Sequence, residues 1–333
     1  MSWKKDFDLP VLELPGKTVT KLDFHPNKDL LAIASFDNSV RLLDVDIRNK
    51  DVNKVSEYSH AKSVLTCKWG SDGTRLASGC ADGVLKVLDA GTGQTLDIGK
   101  HDGAIKAVAW ASQDDQIVAT GSWDKTLKYW DLRSATCIQS LPLPGKCLSM
   151  DATFPLMVVA TTDRHIQIFD LNNPMQPYRE TYSSLKWQTR SVCTVVDPEY
   201  GYLLGSLEGR AVLSYCEPKN IEKTFTFKCH RINDKPYAVN CVNMTPEFPH
   251  VVATAGGDGS FSFWNIKTRR QLSTHPGLPG PITAACFNSK ATVYAYATGA
   301  DFCELDAVRK YNGIEKVNVH FHPIVPEDAI SRE

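Results

Sequence analysis

One spacing constrains this chain more than any other. An acidic turn residue is followed, seven positions later, by the residue that ends an alternating strand. The pattern occurs in FDNSVRLLD (Asp37, Asp44), ADGVLKVLD (Asp82, Asp89), SWDKTLKYWD (Asp124, Asp131), TDRHIQIFD (Asp163, Asp170), LEGRAVLSY (Glu208, Tyr215) and GDGSFSFWN (Asp258, Asn265). Successive turn acids lie 45, 42, 39, 45 and 50 residues apart. A period of that size marks stacked supersecondary units, each unable to bury its apolar face alone.

The upstream layout repeats as well. VTKLDFHPNKDLLAIAS, VLTCKWGSDGTRLASGC, IKAVAWASQDDQIVATGS and VNCVNMTPEFPHVVATAG each set two β-rich runs around a polar turn. With the alternating strand and a more variable fourth, each unit is a four-stranded sheet of about 40–45 residues bearing the WD signature. Radial packing covers each sheet with its neighbour and leaves only short edges. A degenerate seventh copy begins at 281–299, with KVNVHFH (316–322) as its third strand after a loop containing Asp301. DLPVLELPG (8–16) precedes the first unit and is expected to supply the outer strand of the seventh. The expectation is therefore all-β: a seven-bladed WD-repeat β-propeller forming a single domain over 1–333, with a C-terminal tail at about 323–333.

Bulk properties exclude several classes. Hydrophobic content of 42%, charged content of 23% and a formal net charge of −1 suit a globular protein without wholesale attraction to polyanions. No apolar run approaches the ~18 residues of a membrane helix, so no membrane insertion is expected. MSWKKDFDLP lacks the apolar core of a secretory signal. The ten cysteines contain no C-x-x-C pair, and several sit in apolar runs such as SVCTVV, as reduced thiols in an intracellular protein do.

Acid–base chemistry is the tempting reading of the repeated polar residues. His60 and His101 lie 22 and 23 residues before Asp82 and Asp124. A catalytic set occurs once, whereas these residues recur by blade, so His60, His101, Asp37, Asp82, Asp124, Asp163 and Asp258 are expected to form buried structural networks. His320 and His322 project to one side of a strand but show no third ligand in sequence. GGDG (256–259) lacks the following helix and Lys-Ser/Thr of a phosphate loop. No enzyme site, cofactor or metal is expected.

Non-repeated basic residues are more telling. Arg190 ends SSLKWQTR, Arg210 ends SLEGR, and Lys228 and Arg231 flank Cys229 and His230 in FKCHR. Strand starts and hairpin turns share one propeller face, so these side chains can converge there. Arginine grips carboxylates through paired donors.

GSWDKTLKYWD, PLMVVATTDR, SSLKWQTR, GSLEGRAVLSY, TFTFKCHR and GGDGSFSFWN resemble tracts of one small group of WD-repeat proteins. That group comprises the Rae/Gle mRNA export factors of the nuclear pore and the related Bub-type mitotic checkpoint propellers. FTFKCHR, FSFW and the LPLPGKC to FPLMVVAT run are similar to the export branch. ASFDNSVRLLDV, with no long leader, is similar to the checkpoint branch, and ADFCELDAV replaces the export branch's usual late tract. The resemblance implies a non-enzymatic scaffold that binds a GLEBS motif, a short segment with paired glutamates. The partner would be an FG-nucleoporin in mRNA export, or alternatively a Bub-type kinase at kinetochores. Carried over by motif, Arg190 and Arg210 would hold the acidic pair and Lys228 and Arg231 would assist. Trp123, Phe36 and Trp187 would offer apolar contact. RNA contact on the same basic face, a nuclear-pore location with a cytoplasmic pool, and a monomer or a heterodimer with the GLEBS partner are implied too.

Overall fold

The computed structural model describes residues 12–14, 17–196, 199–278, 280–301 and 317–329. Their strands form seven four-stranded antiparallel sheets and one two-stranded ribbon. Blades one to four span 19–59, 64–100, 105–142 and 147–182. Blade five contains Thr189–Val195, Gly201–Ser206, Arg210–Tyr215 and Phe225–Lys228. Blade six contains Val239–Met244, Val251–Gly256, Phe261–Asn265 and Arg270–His275. Blade seven joins Ile282–Phe287, Val293–Thr298 and Val317–Pro323 to Leu12–Leu14.

Burial follows from radial packing. The first strand of each blade lies beside that of the next, and blade one's lies beside blade seven's, so first strands line a central channel. Second strands are covered on both sides; every residue of Leu156–Thr161, Gly201–Ser206 and Val251–Gly256 is buried. Hence their β-branched and small apolar runs, without alternation. Fourth strands such as Asp51–Ser59 face outward and are largely exposed. Blades approach closely: a Cβ on Gly121 would stand 2.4 Å from Cys147 Sγ in blade four. The thiols stay protonated, desolvation pushing buried Cys147 and half-buried Cys193 and Cys229 up to about 12.

Two seams close the ring. Val19, Leu22, Leu31, Ile33 and Leu43 of blade one pack against Ala295, Val317, Val319 and Phe321 of blade seven. At the outer edge, Leu12, Glu13 and Leu14 pair with Val319, Asn318 and Val317. The remaining residues of the 8–16 segment lie outside the described residues.

The seven-residue spacing has a simple cause. Asp37, Asp82, Asp124 and Asp258 each accept, through Oδ1, the backbone N–H two residues on, at 2.9–3.1 Å. Asp89, Asp131, Asp170 and Asn265 do the same at the other end of the third strand, at 2.9–3.0 Å. The spacing is the length of a strand capped at both ends by side-chain turns. Blade one departs from it: its third strand runs Ser39–Asp46, and Asp46 rather than Asp44 caps the end.

The expected tail is ordered differently. Pro326–Ala329 forms one helical turn, and Asp328 is 1% exposed against blade six.

Candidate functional site

Blade three builds the fullest polar network. Trp130 Nε1 donates to Thr120 Oγ1 at 2.7 Å, and Thr120 Oγ1 lies 2.7 Å from His101 Nε2. His101 Nδ1 is 2.8 Å from Asp124 Oδ2, whose other oxygen accepts Thr126 Oγ1 at 2.7 Å. Burial lowers the pKa of His101 against the pull of Asp124, so neutral imidazole donates from Nδ1. Burial opposes ionisation of Asp124, but hydrogen bonds from Thr126 and His101 outweigh it and hold the carboxyl low. Thr, His and Asp in this order resemble a nucleophile, base and orienting acid. Thr120 is fully buried and its oxygen already accepts the indole N–H, so no substrate carbonyl can reach it. The network joins strands.

Other blades carry fragments of it. In blade two His60 Nε2 meets Ser78 Oγ at 2.8 Å, with Tyr58 OH on the same oxygen in place of tryptophan. In blade one Arg41 Nη2 pairs with Asp37 Oδ2 at 2.6 Å where histidine stands elsewhere. Asp163 adopts φ 63° and donates its N–H to Gln188 Oε1 at 3.2 Å. Blade six holds a histidine that sequence spacing missed: His230 Nδ1 is 2.9 Å from Asp258 Oδ1 across 28 residues. The insertion that lengthens this blade is the ribbon Arg231–Ile232 with Lys235–Pro236, which hid the interval.

The basic residues gather on the face that carries the capped hairpins. Each first strand has a bulge after its first residue, which turns the extra side chain to the channel mouth. In blade five that residue is Arg190, in blade six Asn240 and in blade three Lys106. Arg190 Nε donates to Asn240 Oδ1 at 3.0 Å, and Nη2 stands 3.6 Å from Asp301 Oδ1, beyond a hydrogen bond. Asn240 is fixed in turn, its Nδ2 donating to Ile282 O at 2.9 Å and Asp301 Oδ2 at 2.8 Å. Asp301 and Asn240, not singled out as site residues in sequence, orient the guanidinium, and Arg190 lines the central channel.

Arg210 starts the third strand of blade five and pairs with Lys228 across the sheet. Thr189 lies opposite Ser206 and Gly205 opposite Ala211, so Arg190 and Arg210 stand at one end of the blade, two strand spacings or roughly 10 Å apart. The Arg210 guanidinium has no hydrogen-bond or ion-pair partner among the described residues, although its carbonyl accepts Ser206 Oγ at 3.4 Å, and Lys228 is exposed. Arg231 is different. It lies in the ribbon before blade six, and Nη1 and Nη2 donate to the carbonyls of Glu208 and Asp234, each at 3.0 Å. Its stem covers Gly209, where φ is +64° and a Cβ would meet His230 O at 2.3 Å. Arg231 thus props the Glu208–Arg210 turn.

Trp123 and Trp187 are 43% and 52% exposed on this face, next to the blade-three turn and before Arg190. Phe36, in the blade-one turn, is partly buried, and its carbonyl accepts Ser63 Oγ at 3.0 Å. His320 and His322 lie on one side of their strand, where His320 stacks on Tyr296 and His322 packs against His275.

Seven radial blades with Asp-capped hairpins define a WD-repeat β-propeller. Residues 22–113 match the anaphase-promoting complex subunit 4 WD40 domain, and 221–265 match the WD domain, G-beta repeat. The chain is 36% identical to the Poly(A)+ RNA export protein of Schizosaccharomyces pombe, over 97% of this chain and 92% of that one. It is 36% identical to mRNA export factor GLE2 of Chaetomium thermophilum, over 96% and 90% of the two chains. Protein Rae1 of Drosophila melanogaster is 34% identical, over 89% and 88%. The chain belongs to the Rae1/Gle2 family of WD-repeat mRNA export factors.

Proposed function

We propose that this protein is a non-enzymatic scaffold of mRNA export, docked at the nuclear pore by gripping a GLEBS segment of an FG-nucleoporin. The relatives that match it nearly end to end carry export names. Arg210 carries the site assignment: a partly buried guanidinium without a partner among the described residues, at the same end of blade five as Arg190. Paired glutamates of an extended segment would meet one guanidinium each, with Lys228 beside Arg210 and the exposed indoles of Trp123 and Trp187 covering apolar side chains. Arg231 serves by holding the turn that presents Arg210, rather than by touching the peptide. RNA would meet the same basic face through phosphate contacts, and that contact would weaken as salt rises.

The test is a pull-down from interphase lysate with wild type and an Arg190→Glu/Arg210→Glu double variant, read by mass spectrometry. Recovery of an FG-nucleoporin by wild type alone supports the reading. Recovery of Bub-type kinases instead keeps the site and moves the protein to the checkpoint.

A further inference from the structure

His322, on the third strand of blade seven, meets one residue from blade six and one from the turn that follows its own strand. His275 ends the fourth strand of blade six, and Asp328 sits in the helical turn Pro326–Ala329. Asp328 Oδ1 is 3.0 Å from His275 Nε2, and Asp328 Oδ2 is 2.9 Å from His322 Nε2. The two imidazole centroids are 4.3 Å apart, and one donor atom from each of the three residues falls within 4.8 Å of the others. The surroundings hold these groups in place. Ser273 Oγ donates to Asp328 Oδ1 at 2.5 Å and the Val325 N–H to Oδ2 at 3.2 Å. Phe261 stacks on His275 at 4.5 Å and meets His322 edge-on at 5.2 Å. His275 and Asp328 are 6% and 1% exposed, whereas His322 borders solvent.

We propose that His275, His322 and Asp328 form a binding site for a divalent transition metal, zinc above all, that staples the C-terminal turn to the seam between blades six and seven. Two imidazole nitrogens and one carboxylate oxygen suit zinc, which takes such ligands at about 2.0–2.2 Å in a tetrahedron. That geometry sets ligand atoms roughly 3.3 Å apart. Each nitrogen lies 2.9 or 3.0 Å from its own carboxylate oxygen and the three donor atoms fall within 4.8 Å, so small side-chain shifts close the set around an ion. Ser273 and the Val325 amide are the outer groups that orient the carboxylate, as the partners of metal ligands do. Water enters from the His322 side as the fourth ligand. The site spans three chain segments, so the metal would bind only the folded protein and stabilise it.

Chelator-treated full-length protein, titrated with zinc by calorimetry and with cobalt by visible absorption, tests this. Wild type is expected to bind one zinc per chain, to melt at a higher temperature with it, and to give a cobalt d–d spectrum. His322→Gln and Asp328→Asn should weaken binding at least tenfold, and His320→Gln should not change it. His322 is the most exposed ligand, so H322Q keeps the test open should D328N fail to fold. Absence of saturable binding by wild type would reduce the cluster to a hydrogen-bonded latch and overturn the proposal. So would undiminished binding in H322Q, which would put the metal elsewhere.

Discussion

Arg190 and Asn240 are hydrogen-bonded across the junction of blades five and six, Nε to Oδ1 at 3.0 Å, each at the bulge that opens its first strand. Asn240 spends its amide donors on Ile282 O and Asp301. One residue therefore sets both the seam and the aim of the guanidinium. Asn240→Ala should loosen Arg190, lower affinity for a glutamate-paired peptide several-fold, and cost about 1–3 kcal/mol of stability. Calorimetric titration and urea unfolding of the same preparation check both effects.

Thr120→Val in blade three should cost more than Thr254→Val in blade six. The first change orphans Trp130 Nε1 and His101 Nε2 together. The second orphans Trp264 Nε1 alone, because His230 Nε2 already lacks a partner. Each buried group left unsatisfied costs about 1–3 kcal/mol, so the difference should be one such increment in urea unfolding. Equal losses would show that the blade-three chain does not act as a unit.

Stability should fall with acid through His60. Burial first, then Lys86, lowers its pKa to about 4, whereas the unfolded side chain titrates near 6.5. Between these values the unfolded chain binds the extra proton. The contribution is complete above about pH 6.5 and is lost as pH falls through about 4, on the order of 3 kcal/mol in all. His60→Gln should show a shallower loss of melting temperature than wild type between pH 7 and 4.5. Parallel curves would contradict the assignment.

The outer of the two seams that close the ring is a short pairing, Leu12–Leu14 with Val317–Val319. Deleting residues 1–15 should leave an open edge on the last blade and lower the melting temperature sharply. An unchanged melting temperature in differential scanning calorimetry would mean the ring holds by its blade-one and blade-seven core alone.

Much of this was legible in the sequence because the repeat is written in capped turns. Asp124 and Asp131 mark the two ends of a third strand, and both Trp-Asp pairs of SWDKTLKYWD read correctly from that. The same rule blurred where strand lengths change: Asp46 took over from Asp44, and the ribbon before blade six hid the partnership of His230 with Asp258. The basic face could be drawn from position within blades. Which guanidinium lacks a partner among the described residues could not, since Arg231 turns onto two carbonyls and Arg210 does not. The union of His275, His322 and Asp328 was beyond reach for another reason. It depends on a turn at the chain's end that carries no repeat signal, folding back onto a neighbouring blade.

The most direct test of the account is calorimetric titration of a GLEBS peptide into wild type and into the Arg190→Glu/Arg210→Glu variant. Wild type should bind, and the double reversal should lose at least a hundredfold in affinity with its circular dichroism and melting temperature intact. A folded double variant that binds as wild type does would contradict the claim that these two guanidinium groups receive the paired glutamates.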